Sequence, residues 1–236
     1  MTTITSPQNP HLKALRRLHT KRERARSGTF LAEGEDLVAA ALDAGREAVA
    51  GFRVAGSALG DDHFHDVERS VLQDVSALGS GSRVIAVYRQ QFIAPAGPLC
   101  VYLHRVGDPG NVGTVLRAAQ AFGASCVALG PGCADPHSPK AVRASMGAIF
   151  SVPIARAAGP QELPGERIAL AADAPEPLLG SAAADVSLLV GAEREGLPAD
   201  VIALCERSAR IPIASESLNA AMAATVALYE MTRQPR

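Results

Sequence analysis

Apolar positions fall into two regimes along this chain. From residue 99 onward, short and nearly continuous apolar runs alternate with segments of helical period; the runs are Leu99–Leu103, Cys126–Leu129, Ile168–Ala172 and Val186–Val190. Strands that are apolar throughout are buried on both faces, which predicts a mainly parallel sheet flanked by helices. The earlier part is less regular. Residues 10–26 have helical spacing, with Leu12, Leu15 and Leu18 on one side. A short apolar stretch, Thr29 to Ala32, follows Gly28, and a helix is predicted from Asp36 to Ala44, ending at Gly45. Val67–Leu78 reads as a helix and Ser82–Tyr88 as a strand. The stretch Gln90 to Pro98, QQFIAPAGP, holds two prolines, a glycine and no charge, the composition of a connection. These patterns divide the chain into a smaller α/β domain over 1–92, a linker over 93–98 and a larger α/β domain over 99–236. Neither an internal repeat nor a low-complexity tract interrupts them.

Composition narrows the class. With 236 residues, 47% of them hydrophobic, the chain can bury a substantial core and is not disordered as a whole. Cys100, Cys126, Cys133 and Cys205 are far apart and form no C-x-x-C pair, so free thiols in a reducing compartment are expected instead of a disulfide scaffold. His63 and His65 alone do not make a zinc site, and no metal is expected. No apolar run reaches the roughly 20 residues that span a bilayer, and the N-terminus turns basic where a secretory signal would turn apolar. A cytoplasmic protein without a membrane partner is the expectation.

Charge then changes the picture. The net charge is only −1, yet residues 1–30 hold seven cations against Glu23 alone. On a helix over 10–26, Lys13, Arg16, Arg17, Lys21 and Arg24 share one stripe opposite the leucines. Such a stripe is either a solvated face or a phosphate-binding one, and the scarcity of compensating acid favours phosphate, hence RNA. Lys140 and Arg143, three apart after the Ser138-Pro139 helix start, are either a second basic patch or an ordinary surface pair.

Three segments carry candidate chemistry. In HRVGDPGNVGTVLRAAQAFGAS, residues 104–125, a strand ends, Asp108-Pro109-Gly110 turns the chain, and Asn111 stands where a helix cap belongs. Val112, Val115, Leu116 and Ala119 follow helical spacing; Arg117 lies about 140° from Val112 and outside the packed face. It is the one cation on a helix leaving a strand's carboxyl end, where open α/β sheets place ligands. In LLVGAEREGLPADV, residues 188–201, a buried strand runs into Gly191, then Glu193, Glu195 and Gly196, a loop that lets backbone approach a ligand. In RIPIASESLNAAMAATVALYEM, residues 210–231, a short strand Ile211–Ile213 leads into an Ala-rich helix that Ser215 or Ser217 could cap, with Asn219 in its first turn. The alanines suit close packing, in the core or against a second copy.

In this order, the strings D-P-G-N-V-G-T-V-L-R-A-A, G-A-E-R-E-G-L and I-P-I…E-S-L-N, with K-A-V-R-A-S-M-G-A-I-F between, resemble the SpoU (TrmH-like) branch of the SPOUT RNA methyltransferases over about residues 99–233. S-P-Q-N-P-H-L-K and F-L-A-E-G resemble, more loosely, the small α/β substrate-binding domain that often precedes it. The resemblance implies a C-terminal trefoil knot holding S-adenosylmethionine, and a homodimer with composite sites. By motif position it implies that Gly191, Ile211 and Leu218, with Leu170, Gly196 and Asn219, line the cofactor pocket. It makes Asn111, Arg117, Glu193, Ser217 and Asn219 the polar active-site positions. The sequence departs from the pattern at Ala192, where Asn is usual, and in a loop between Ile213 and Glu216 about two residues shorter than is common; both bear on the shape of the cofactor pocket.

The implied function is methyl transfer to a ribose 2′-hydroxyl, of ribosomal RNA in preference to transfer RNA because of the N-terminal domain. A non-catalytic RNA-binding or ribosome-assembly factor of the same fold is the alternative from another class. The resemblance casts Arg117 as the base, but a guanidinium resists deprotonation. Its chemistry favours holding the neighbouring phosphate and the hydroxyl while a phosphate or water takes the proton.

Overall fold

A computed structural model describes residues 3–61, 63–77, 81–180, 183–215 and 217–233. In chain order the elements are α1 (Pro10–Leu18), α2 (Lys21–Ser27), β1 (Thr29–Glu33), α3 (Glu35–Asp43), β2 (Ala50–Val54), β3 (His65–Val67), α4 (Arg69–Gln73) and β4 (Val84–Arg89). There follow β5 (Leu99–Leu103), α5 (Pro109–Ala121), β6 (Cys126–Leu129), α6 (Pro139–Ala144), α7 (Ala148–Ser151), β7 (Ile154–Arg156), β8 (Glu166–Leu170), β9 (Val186–Val190), α8 (Ala199–Ile202), β10 (Arg207–Ala209) and α9 (Ala220–Thr232). Contacts divide them into two units. One comprises Met1–Gln90 with Asp135–Ser151, the other Gln91–Ala134 with Val152–Arg236. The sequence pattern puts the break over 93–98 and keeps 99–236 together; the contacts put it after Gln90 and move α6 and α7, with Lys140 and Arg143, into the first unit.

The first unit is a mixed sheet in the order β1-β4-β2-β3, with β4 antiparallel to both neighbours. Alternation along the strands sends Leu31, Phe52, Ile85 and Val87 to one face, where Leu12, Leu15 and Leu18 of α1 and Val71 and Leu72 of α4 cover them. Burying each such side chain stabilises the fold by about 1.5–3 kcal/mol. Phe30 and Tyr88, opposite each other in the β1–β4 register, point the other way. Phe150 of α7 meets both, at centroid distances of 5.9 and 4.8 Å, and His137 lies 4.6 Å from Phe30. The excursion 135–151 therefore completes this core.

The single helix expected over 10–26 is two. Thr20 is extended and its hydroxyl accepts from the Glu23 amide at 3.3 Å, capping α2 and turning the chain after α1. The stripe of cations is interrupted there, and Arg24 leaves it altogether. Arg24 is 4% exposed; its Nε and Nη2 donate to Asp135 Oδ2 at 2.9 and 2.7 Å, and its Nη1 donates to the carbonyls of Leu18 and His19 at 2.8 and 2.9 Å. It is a core fastener and not an RNA ligand, because burial and four hydrogen bonds close it off from a phosphate. Lys13, Arg17 and Lys21 stay exposed, while Arg16 is half-buried and donates to the Pro7 carbonyl at 2.7 Å. The helix expected over Val67–Leu78 shrinks to α4, since Val67 is paired with Val54 in β3; Leu78 lies outside the described residues.

The second unit is a six-stranded sheet, parallel throughout, in the order β10-β8-β9-β5-β6-β7. The fold class expected from the apolar runs holds. Two strands sit earlier than the pattern suggests: β8 begins at Glu166 instead of Ile168, and the strand expected at Ile211–Ile213 is Arg207–Ala209. Pro212 lacks the amide a ladder needs, whereas Arg207–Ala209 can pair along β8 as the sheet's edge. The four cysteines are free, with Cys100 and Cys126 facing each other across β5 and β6 at an Sγ–Sγ distance of 3.2 Å. Among the described residues no helix is long and apolar enough to cross a membrane.

Candidate active site

The loop after β5 sets the first side of the site. Asp108, not Asn111, caps α5: its Oδ1 accepts from the Asn111 amide at 3.1 Å, and Pro109 takes the first helical position, where its missing N–H costs nothing. The Asp-Pro pair carried that signal in the sequence. Relieved of capping, the Asn111 side chain bridges two other segments. Its Nδ2 donates to Glu193 Oε1, in the loop after β9, and its Oδ1 accepts from Asn219 Nδ2 at 3.1 Å. Asn219 in turn caps α9, its Oδ1 accepting from the amides of Ala221 and Met222 at 2.9 and 3.3 Å. Neither Ser215 nor Ser217 takes that part; the Ser215 hydroxyl donates to the Ser217 carbonyl at 3.3 Å. Asn111, Glu193 and Asn219, distant in sequence, thus form one hydrogen-bonded line.

Beside this line opens a pocket of about 620 Å³, including the solvent at its mouth. It lies off the carboxyl ends of β8 and β9, where a parallel sheet presents ligands. Leu170, Ile211 and Leu218 supply apolar walls, Gly191 and Gly196 supply backbone, and Glu193 and Ser217 supply polar groups. Gly191 approaches the opposite limb of its own loop closely: a Cβ there would stand 2.1 Å from the Gly196 carbonyl carbon, so no side chain fits. The Gly196 amide donates to the Ala192 carbonyl at 2.9 Å, closing the loop through backbone alone.

Of the residues singled out from sequence, the pocket gathers Leu170, Gly191, Glu193, Gly196, Ile211, Ser217 and Leu218, and Asn111 and Asn219 adjoin it through Glu193. Arg117 is not in its lining. It stands exposed on α5 and makes no hydrogen bond or ion pair among the described residues. The lining also includes Ala171, Ala172, Ala192, Ala220 and Ala223. Ala192 was marked in the sequence only by standing where Asn is usual; the small apolar side chains of the other four carried no chemical signal, and only their place at strand and helix ends could have marked them. Glu216 lies outside the described residues, as does the full shape of the loop 213–216. Behind β5, His104 is buried, its Nδ1 lies 3.2 Å from the Tyr102 hydroxyl, and burial with the neighbouring Arg105 cation pushes its pKa down, so its imidazole is neutral near neutrality.

Residues 98–229 match the SpoU rRNA Methylase family, and residues 9–86 match the MRM3-like substrate binding domain. The chain is 30% identical to the 23S rRNA (guanosine(2553)-2′-O)-methyltransferase RlmP of Bacillus subtilis, over 98% of this chain and 99% of that protein. Its structure is similar to that of an AdoMet-bound rRNA methyltransferase from Sinorhizobium meliloti, with 32% identity, a TM-score of 0.85, and 97% and 96% of the two chains covered. It is similar also to the SpoU methyltransferase AviRb from Streptomyces viridochromogenes in complex with AdoMet, at 25% identity and a TM-score of 0.83, over 94% and 97% of the chains.

Proposed function

The chain belongs to the SpoU rRNA methylase family, and from that membership and the pocket we propose that it transfers a methyl group from S-adenosylmethionine to a ribose 2′-hydroxyl of ribosomal RNA. The observation that carries this reading is the convergence of two motif loops on one pocket, with the third tied to them by the line from Asn219 through Asn111 to Glu193. The residues fit the cofactor. A purine ring needs apolar walls and close backbone, which Leu170, Ile211, Leu218 and the Gly191–Gly196 loop offer. When bound, S-adenosylmethionine supplies a sulfonium methyl as electrophile. The chain's own part is to orient and to hold charge. Glu193 and Ser217 are the polar residues of the lining, and Asn111 fixes Glu193. Arg117 holds the phosphate and hydroxyl oxygens of the acceptor nucleotide, with the proton leaving to that phosphate or to water. Tritiated S-adenosylmethionine and ribosomal RNA test the proposal: label on a ribose oxygen is expected, and label on a base, or on no RNA, sinks it.

The site is completed by a second copy of the chain. Along α9, Met222, Val226 and Tyr229 are 62, 41 and 55% exposed and share one face. An apolar stripe of this kind, on a helix packed against the one bearing Arg117, suits a symmetric partner. Val226→Glu should convert dimers to monomers in sedimentation and remove methyl transfer; a fully active monomer speaks against composite sites.

RNA is gripped in addition by the exposed cations of α1 and α2, Lys13, Arg17 and Lys21. Charge reversal at Arg17 and Lys21 should weaken RNA binding several-fold at low salt and flatten its salt dependence. Unchanged affinity at low salt removes this helix pair from the RNA surface. The free thiols are those expected of a reducing compartment, which supports action in the cytoplasm.

A further inference from the structure

Arg105, directly after β5, has φ +56°. In this left-handed region an L side chain crowds the carbonyl that follows it; glycine escapes the penalty and arginine does not. The surroundings hold the backbone there. The Arg105 amide donates to the Pro131 carbonyl at 3.0 Å, His104 N donates to Val190 O at 2.9 Å, and Gly130 N donates to Leu103 O at 2.8 Å. The stem of the side chain runs over Gly132, where a Cβ would stand 3.0 Å from Arg105 Cγ. The head group is more than half exposed, and among the described residues its one ion pair is with Glu195, at 3.9 Å between Nη1 and Oε2. Glu195 belongs to the same loop as Glu193 and Gly196, which line the pocket. An exposed pair at that separation contributes little, so a phosphate able to take two parallel hydrogen bonds displaces it readily. Residues kept in costly backbone conformations concentrate where a side chain must be aimed.

We propose that Arg105 is a further positioning residue of this enzyme: a cation aimed by a strained backbone, beside the pocket loop, to take an RNA phosphate next to the ribose being methylated. The inference rests on the function proposed above. Glu195 is the weak partner that the phosphate replaces when RNA arrives.

Arg105→Gly removes strain and cation together, so stability and RNA recognition should move in opposite directions. Its melting temperature should rise by roughly 2–4 °C, while KM for RNA rises about tenfold and kcat stays within about twofold. S-adenosylmethionine affinity by calorimetry should not change. The log–log slope of RNA affinity against salt should become shallower by about 0.7, the loss of one phosphate contact on a single strand. Arg105→Lys should recover most of that slope without the thermal gain. A glycine variant that melts no higher than the parent overturns the proposal, as does one that keeps the parent's KM and salt slope. Absence of methyl transfer by the unaltered protein would instead overturn the function, and this inference with it.

Discussion

Arg117→Ala should bind S-adenosylmethionine as the unaltered protein does, yet transfer methyl groups at least roughly 10²–10³-fold more slowly, the usual loss when one preorganised charge donor is removed. The expectation follows from where the residue stands. Arg117 is outside the pocket lining and exposed on α5, so its removal leaves the cofactor walls intact. A permanently charged, planar guanidinium suits the phosphate and hydroxyl of an acceptor and is a poor proton acceptor. Arg117→Lys keeps the charge but loses the fork, and should recover only part of the rate. Calorimetry and a single-turnover transfer assay separate the two effects. Turnover by Arg117→Ala near the parental rate would remove this arginine from the reaction, and weakened cofactor binding would make its part structural.

The second large effect belongs to stability. Arg24→Ala leaves Asp135 Oδ2 and the carbonyls of Leu18 and His19 without the donors that satisfy them. Breaking a buried pair in this way costs about 3–5 kcal/mol, which denaturant unfolding of the whole chain reads directly. Asp135→Ala should cost a similar amount, and the double variant should be clearly less than additive, since both substitutions remove the same interaction. Arg17, exposed on α1, provides the contrast: its substitution should weaken RNA binding and leave the unfolding midpoint nearly unchanged. If Arg24→Ala instead weakened RNA binding and kept full stability, Arg24 would return to the basic face that its spacing suggests.

That contrast shows what a linear pattern can carry. Helical spacing places Arg24 in line with Lys13 and Arg17, and only the turn at Thr20 and a carboxylate far along the chain take it out of line. Long-range partners such as Asp135 leave no mark on local period. The parallel sheet was legible because strands buried on both faces must be apolar throughout, and β5, β6 and β9 lie where the runs predict them. The edge strand β10 was not legible: its Arg207-Ser208-Ala209 has little apolar character, and its pairing is decided by β8. In the site, Gly191, Glu193 and Asn219 stood out through residue type and motif order. The cap at Asp108 was legible in principle, because Asp before Pro is a helix start. Apart from Ala192, the alanines of the lining were silent, since a small side chain becomes a wall only through what the fold places opposite it.

The excursion that carries α6 and α7 has a consequence during synthesis. Phe30 and Tyr88 emerge from the ribosome well before Phe150, the ring that covers them. At roughly 5–20 residues per second that interval lasts several seconds. Over that time the amino-terminal sheet has an uncovered aromatic face, and its final closure is timed by translation of the other unit's strands. A chain stalled or cut between β6 and α7 therefore leaves two unfinished halves, which makes this stretch the natural point of vigilance for chaperones and proteases.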